Sequence, residues 1–132
     1  MIRLLIAALL LAGAPASAEA PPPGSEDYDL LMPYSSAIRG AISDAEPHLA
    51  CCSTADATAV DARTTDRGWQ IKFRNNRFPD APNGWIDVPD AMVPRHWPNP
   101  TGESLVWWYH RYSNGPSKSE GYIRCFGPVS GV

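Results

Sequence analysis

The stretch Trp69-Gln-Ile-Lys-Phe-Arg74 decides the fold class of this chain. Its large apolar side chains alternate strictly with polar ones, which is the pattern of an antiparallel strand with one face in a core and the other in water. We therefore predict a half-buried strand here. The predicted inward residues are Trp69, Ile71 and Phe73, and the predicted outward residues are Gln70, Lys72 and Arg74.

Four further segments carry strand signals and are separated by turn residues: 58–62, 85–88, 105–112 and 121–127. The segment 105–112 is apolar on both sides, so it is either a central strand covered on both faces or a strand with a half-exposed aromatic stripe. Five short strands in about 70 residues favour a mainly β fold. We predict a small five-stranded antiparallel sheet, or an SH3-like or OB-like barrel.

Proline limits the helical content. Eight of the fourteen prolines lie between residues 79 and 128, and each removes a backbone donor and disfavours helix at the preceding residue. The best helical candidate is residues 35–45, where Ile38 and Ile42 are four positions apart. We predict a short N-terminal helix there, packed on the sheet.

The first eighteen residues resemble a targeting segment. Arg3 precedes a nine-residue apolar run, and Ala16-Ser17-Ala18 is a small-x-small cleavage pattern. That run is shorter than the ~20 residues that span a bilayer. We predict a signal peptide over residues 1–18, an extended leader over 19–34 and a single small β-rich domain over 35–132. The product is then periplasmic or secreted, with no membrane span.

Charge is unevenly distributed along the chain, whose net charge is −3. Residues 19–62 hold eight acidic residues and only Arg39, whereas residues 63–132 carry nine basic and six acidic ones. This pattern indicates an acidic solvated tail and a mildly basic domain. No dense Lys/Arg stripe is present in the sequence, so nucleic acid is not an expected partner.

The chain has three cysteines, Cys51, Cys52 and Cys125. Thiols of exported proteins tend to pair, and a vicinal Cys51–Cys52 bond would be strained. A link from either to Cys125 closes a loop of about 74 residues and constrains the unfolded chain by roughly 4 kcal/mol on the entropic model. We favour Cys52–Cys125, because Cys125 occupies a predicted inward position on the last strand, with Cys51 as the alternative partner. The third cysteine is then buried and inert, or pairs with another chain.

Five short motifs follow one another between residues 48 and 128: Cys51-Cys52-Ser53-x-x-Asp56, Gly68-Trp69, Trp85-x-x-Val88-Pro89, Asn99-Pro100-x-Gly102 and Ile123-x-Cys125-Phe126-x-Pro128. This pattern resembles a group of short uncharacterised exported bacterial proteins, and the resemblance implies no activity. Members carry two further cysteines, at the positions of Ala57 and of Trp107 or Trp108. Their joint loss here is expected if those two are partners, which leaves the bridge to Cys125 intact.

Three functional hypotheses follow from the sequence. We expect a non-catalytic binding or structural module whose partner is a cell-envelope glycan or protein, and we expect no cofactor. The predicted binding surface is an outward aromatic face of the last two strands: Trp108, His110, Tyr112, Tyr122, Arg124 and Phe126.

The first alternative is a Cu or Zn site formed by His48, Cys51 and Cys52 with His96 or His110, because thiolate and imidazole suit these metals. The second is a thiol-dependent enzyme, although a free Cys must be activated by a neighbouring base. The sequence has no nucleophile elbow, HExxH or phosphate loop, so we favour a chain that is not an enzyme.

Overall fold

A computed structural model describes residues 20–38, 54–112 and 119–129 of the 132-residue chain. It confirms the predicted mainly β class: five antiparallel strands form one curled half-barrel sheet, with one short helix before them. The strands are β1 (Ala57–Thr65), β2 (Gly68–Phe73), β3 (Ile86–Asp87), β4 (Leu105–Tyr112) and β5 (Ser119–Gly127). Each of the five lies where the sequence predicts a strand.

The strand order is β3-β2-β1-β4-β5, which places β1 at the centre. The first three residues of β1 pair with β4, and its other six pair with β2, so the sheet bends along this strand. β1 and β2 form a hairpin through the turn at Asp66 and Arg67. The irregular segment between β3 and β4 contains a 3-10 turn, Asp90–Met92, whose residues also approach β5.

One face of the sheet packs against the loops, and the predicted inward residues of β2 lie on it. Ile71 is fully buried, and Trp69 and Phe73 pack against the same cluster. The Trp69 and Phe126 ring centroids are 5.4 Å apart, and those of Phe73 and Trp108 are 5.3 Å apart. The apolar side chains of β2 therefore face the core, as the alternation in the sequence predicts.

The opposite face of the sheet is covered only over the half that contains β4. Leu31 and Ile38 from the N-terminal segment and Trp97 from the long loop cover Leu105 and Trp107 of β4. Residues 105–108 of β4 are thus buried on both faces, which is the first of the two arrangements that the sequence left open. The other half of this face, over β1, β2 and β3, carries polar side chains.

The N-terminal helix starts earlier than predicted. α1 spans Glu26–Leu31, a 3-10 turn spans Met32–Tyr34, and residues 35–38 are helical again. The prediction of an extended leader is wrong for residues 26–34. Ser25 caps α1 by accepting from the backbone N–H of Tyr28, and three acidic residues occupy the first turn, where they complement the helix dipole. The rest of the predicted helix, residues 39–45, lies outside the described residues.

Candidate binding surface

Two of the six residues of the aromatic surface predicted on β4 and β5 are buried. Trp108 is 4% exposed and Phe126 is fully buried, and both belong to the core between the sheet and the loops. The prediction is wrong for these two residues because the loop of residues 74–83 and the segment around Val88 cover this face. The Asp80 carboxylate even accepts a hydrogen bond from the Trp108 indole at 3.3 Å.

A register shift separates the remaining members of the predicted surface. Trp107 pairs with Cys125, but Trp108 pairs with Ile123, so Arg124 is an extra residue on β5. Side chains before and after such a bulge change face relative to a regular strand. Tyr122 therefore lies opposite Tyr109, on the face away from Phe126, and the two tyrosine rings are 6.4 Å apart.

Tyr109, Tyr122 and Arg124 form a half-buried group of their own. The Arg124 guanidinium lies 5.0 Å from the centre of the Tyr109 ring, a cation–π distance. All three residues are half-buried and have further partners. The side chain of Tyr112, the last member of the predicted surface, lies outside the described part of the chain.

His110 is half-exposed and forms a pair with a carboxylate. Its Nε2 lies 2.5 Å from Asp80 Oδ2, and both side chains are about one-third exposed. The same carboxylate oxygen contacts the Trp108 indole, so Asp80 ties the loop of residues 74–83 to β4. In enzymes that use His as a general base, a carboxylate often orients the imidazole in this way.

Asp56 stands beside this pair, at the end of the 3-10 turn Thr54–Asp56. Burial raises the pKa of this half-buried carboxyl, and three smaller effects oppose the rise. The hydrogen bond from Tyr109 and the positive charges of Arg77 and His110 all favour the ionised form. Asp56 thus interacts with Tyr109 and His110 of β4 just before the start of β1.

Trp85 is the most exposed large apolar side chain among the described residues, at 39%. It follows the turn at Asn83 and Gly84 and precedes β3. The Arg63 guanidinium lies over its indole, 4.1 Å from the ring centre. Exposed Trp85 therefore has a defined orientation, set by a cation–π contact with β1.

A row of polar side chains crosses β1, β2 and β3 beside Trp85. Arg63 of β1 lies opposite Gln70 of β2, which lies opposite Asp87 of β3. The Gln70 amide oxygen accepts from Arg63 Nε at 2.9 Å and from its terminal nitrogen at 2.7 Å, and the amide nitrogen donates to Asp87 at 2.7 Å. Gln70 is 9% exposed and thus fixes the positions of two charged side chains that reach solvent.

Two more cations lie on the same half of this face. Lys72 is exposed, and the β2–β3 register, extended by one residue, brings it opposite Trp85. Arg74 pairs with Asp61 at 2.7 Å and with Glu103 at 2.9 Å. We call the set Arg63, Gln70, Lys72, Trp85 and Asp87 the indole platform.

Comparison with protein-family models, with curated proteins and with solved structures finds no match to this chain.

The predicted metal ligands His48, Cys51 and Cys52 lie outside the described residues. Within the described ranges, no group of three His, Cys, Asp or Glu side chains is arranged to hold a metal ion. His96 is exposed in the long loop, and His110 pairs with Asp80. No helix of the described part has the length and apolar character needed to cross a bilayer.

Cys125 occupies a fully buried position on β5, on the face that α1 covers, opposite Trp107. The sequence predicts an inward Cys125, and its burial agrees with that part of the prediction. Its proposed partners, Cys52 or Cys51, lie outside the described residues, so the bridge stays a prediction.

The sequence interpretation missed Trp85 as a surface residue, although a signal was present. In the run Trp85-Ile86-Asp87-Val88 the residues alternate, and Ile86 and Val88 pack on the core side. A strand that turns its aliphatic residues inward must turn Trp85 and Asp87 outward. Tryptophan is enriched among the residues that dominate binding, so the outward Trp85 beside Asp87 could have been recognised as a candidate binding residue.

Proposed function

We propose that this chain is a non-catalytic binding module of the cell envelope whose partner is an envelope glycan or protein. The proposal keeps the class inferred from the sequence and moves the binding surface from β4–β5 to the indole platform. One observation carries it: an exposed tryptophan whose ring is oriented by Arg63, in a row of polar side chains that are already hydrogen-bonded to one another.

Such an arrangement suits binding for a physical reason. An exposed indole offers a large flat apolar face, and burying it against a partner is favourable. The surrounding polar groups are held in place before binding, so little side-chain freedom is lost when a partner docks. The export predicted for residues 1–18 supports the cell envelope as the location of the partner.

Co-sedimentation with isolated cell envelope tests this function. Purified chain is mixed with envelope fragments of the organism that produces it, either untreated or digested with protease, and bound protein is measured after centrifugation. We expect saturable binding to at least one preparation. Binding to both indicates a glycan, and binding to untreated fragments alone indicates a protein partner. Protein that stays in the supernatant with both preparations contradicts the proposed function.

A further inference from the structure

We propose that the indole platform binds the acidic sugar residues of a glycan, with the ring of one sugar stacked on the face of Trp85 that Arg63 does not cover and its carboxylate held by Lys72 at the edge of the indole, where the charge of Arg63 adds to the attraction. This inference rests on the proposed function and specifies its ligand class. It rests on three observations: the exposure of Trp85, the contacts of Arg63, and the charges beside the ring.

The exposed indole indicates a ligand with a flat apolar face. Trp85 exposes 39% of its surface although Arg63 lies over the ring. A pyranose ring presents such a face through its C–H groups, and its hydroxyls reach the polar groups around the aromatic ring. Sugar-binding surfaces therefore combine a ring with hydrogen-bonding side chains, and Gln70 and Asp87 supply these here.

The cations indicate that the ligand is negatively charged. Arg63 donates through Nε and one terminal nitrogen to Gln70, and within the described ranges its other terminal nitrogen has no hydrogen-bond partner. No carboxylate of the described residues forms an ion pair with Arg63 or with Lys72. Two cations that form no ion pair with the described residues therefore lie beside an exposed ring, and their charge complements a carboxylate.

Asp87 is the one acidic member of the platform, and two contacts reduce its effect on an anion. Its carboxylate accepts from Gln70 at 2.7 Å and lies 3.8 Å from the guanidinium of Arg67, so its charge is partly compensated. Its side chain remains 61% exposed and can accept hydrogen bonds from sugar hydroxyls. The platform thus offers a stacking face, two cations for the carboxylate and one acceptor for hydroxyls.

Titration with short oligomers of galacturonic acid tests this inference, with uncharged galactose oligomers of equal length as the comparison. Binding is followed by tryptophan fluorescence and by calorimetry on the full exported chain. We expect binding of the acidic oligomers that weakens as salt is raised, and weaker or undetectable binding of the neutral ones. Equal binding of both, or no binding of the acidic oligomers, overturns the inference.

Variants locate the site. Trp85→Ala is expected to weaken binding by about tenfold or more, as is typical when a central aromatic contact is removed. Lys72→Gln is the second variant, because an exposed side chain without an ion pair in the described part of the chain can be changed without loss of the fold. Tyr34→Ala is the matched control, since Tyr34 is 36% exposed and lies on a different element.

The outcomes separate this inference from the proposed function. Loss of binding in Trp85→Ala and Lys72→Gln, with full binding in Tyr34→Ala, supports the site. Unchanged binding in both platform variants overturns it. If the chain sediments with protease-treated envelope but does not bind the acidic oligomers, the ligand class is wrong while the proposed function stands.

Discussion

The buried carboxylate of Asp27 accepts a hydrogen bond from the Thr58 hydroxyl at 2.7 Å and thereby joins the N-terminal helix to the central strand. β2 pairs with β1 only as far back as Val60, so none of the described strands pairs with the earlier part of β1 on that side. The Asp27 carboxylate fills this place and accepts the Ala59 backbone N–H at 3.0 Å. Arg77 lies 3.2 Å from the same carboxylate and compensates its charge.

Replacement of Asp27 by alanine is expected to lower the free energy of unfolding by about 3 kcal/mol or more, because it removes the acceptor of buried donors and the negative charge beside Arg77. Urea denaturation measures the loss. Asp29→Ala is the matched control, because Asp29 is exposed on the same helix and its removal should cost only its interaction with the helix dipole, less than about 1 kcal/mol. Equal effects of the two variants contradict the structural role of Asp27.

Gly127 has no room for a side chain. A Cβ at this position would overlap the ring of Trp97, which packs edge-on against Trp107 at 5.7 Å between centroids. Gly127→Ala is expected to destabilise the protein by about 1–3 kcal/mol, the usual cost of overpacking a core. Thermal and urea unfolding measure it.

A double variant tests the cause of that loss. Trp97→Leu removes the ring that a Cβ at position 127 would meet, so Gly127→Ala should cost much less in the Trp97→Leu background. An equal cost of Gly127→Ala in both backgrounds would mean that the strain comes from the backbone of β5 and not from the Trp97 ring.

The strands could be predicted from the sequence, whereas the surface could not. Alternation in β2 and the bounds of β4 follow from local patterns, because side-chain direction in a strand has a period of two. The extra residue at Arg124 breaks this period in β5, and nothing local marks it. For this reason Tyr122 and Phe126 were predicted on one face but lie on opposite faces.

The burial of Asp27 illustrates a second limit. Within an acidic segment it has the same local pattern as Glu26 and Asp29, both of which are exposed. What distinguishes Asp27 is a set of partners about thirty or more residues away in sequence, on β1 and at Arg77. The sequence could have predicted the helix, since Ser25 is a good N-cap before an acidic first turn. It could not have predicted which acid enters the core.

Replacing Cys51 or Cys52 by serine tests the predicted disulfide to Cys125 directly. Intact mass before and after reduction and alkylation should show one disulfide in the exported chain, and Cys52→Ser should abolish it while Cys51→Ser preserves it. Loss of the bridge is expected to lower the unfolding free energy by roughly 4 kcal/mol on the entropic model. If Cys51→Ser abolishes the bridge instead, Cys51 is the partner of Cys125. Three alkylated thiols without prior reduction contradict the bridge altogether.

The stability of the protein should depend on pH through Asp56. Burial raises the pKa of its carboxyl above the ordinary value of 3.8, so the folded state holds this proton more tightly than the unfolded chain does. The stabilisation from the protonated form is therefore fully present below about 3.8 and is lost as the pH rises through the higher folded-state pKa.

Asp56→Asn isolates this effect, because the amide does not titrate and its oxygen can still accept from Tyr109, the partner of Asp56. Urea unfolding of the wild type and of Asp56→Asn is measured at a series of pH values from 3 to 7. The contributions of the other titrating groups are nearly the same in both proteins, so they largely cancel in the difference between the two unfolding free energies. We expect the wild type to lose stability relative to Asp56→Asn as the pH rises from about 4 toward neutrality. A difference that grows in favour of the wild type over this range would mean that the charges of Arg77 and His110 outweigh burial, so that the pKa of Asp56 is lowered.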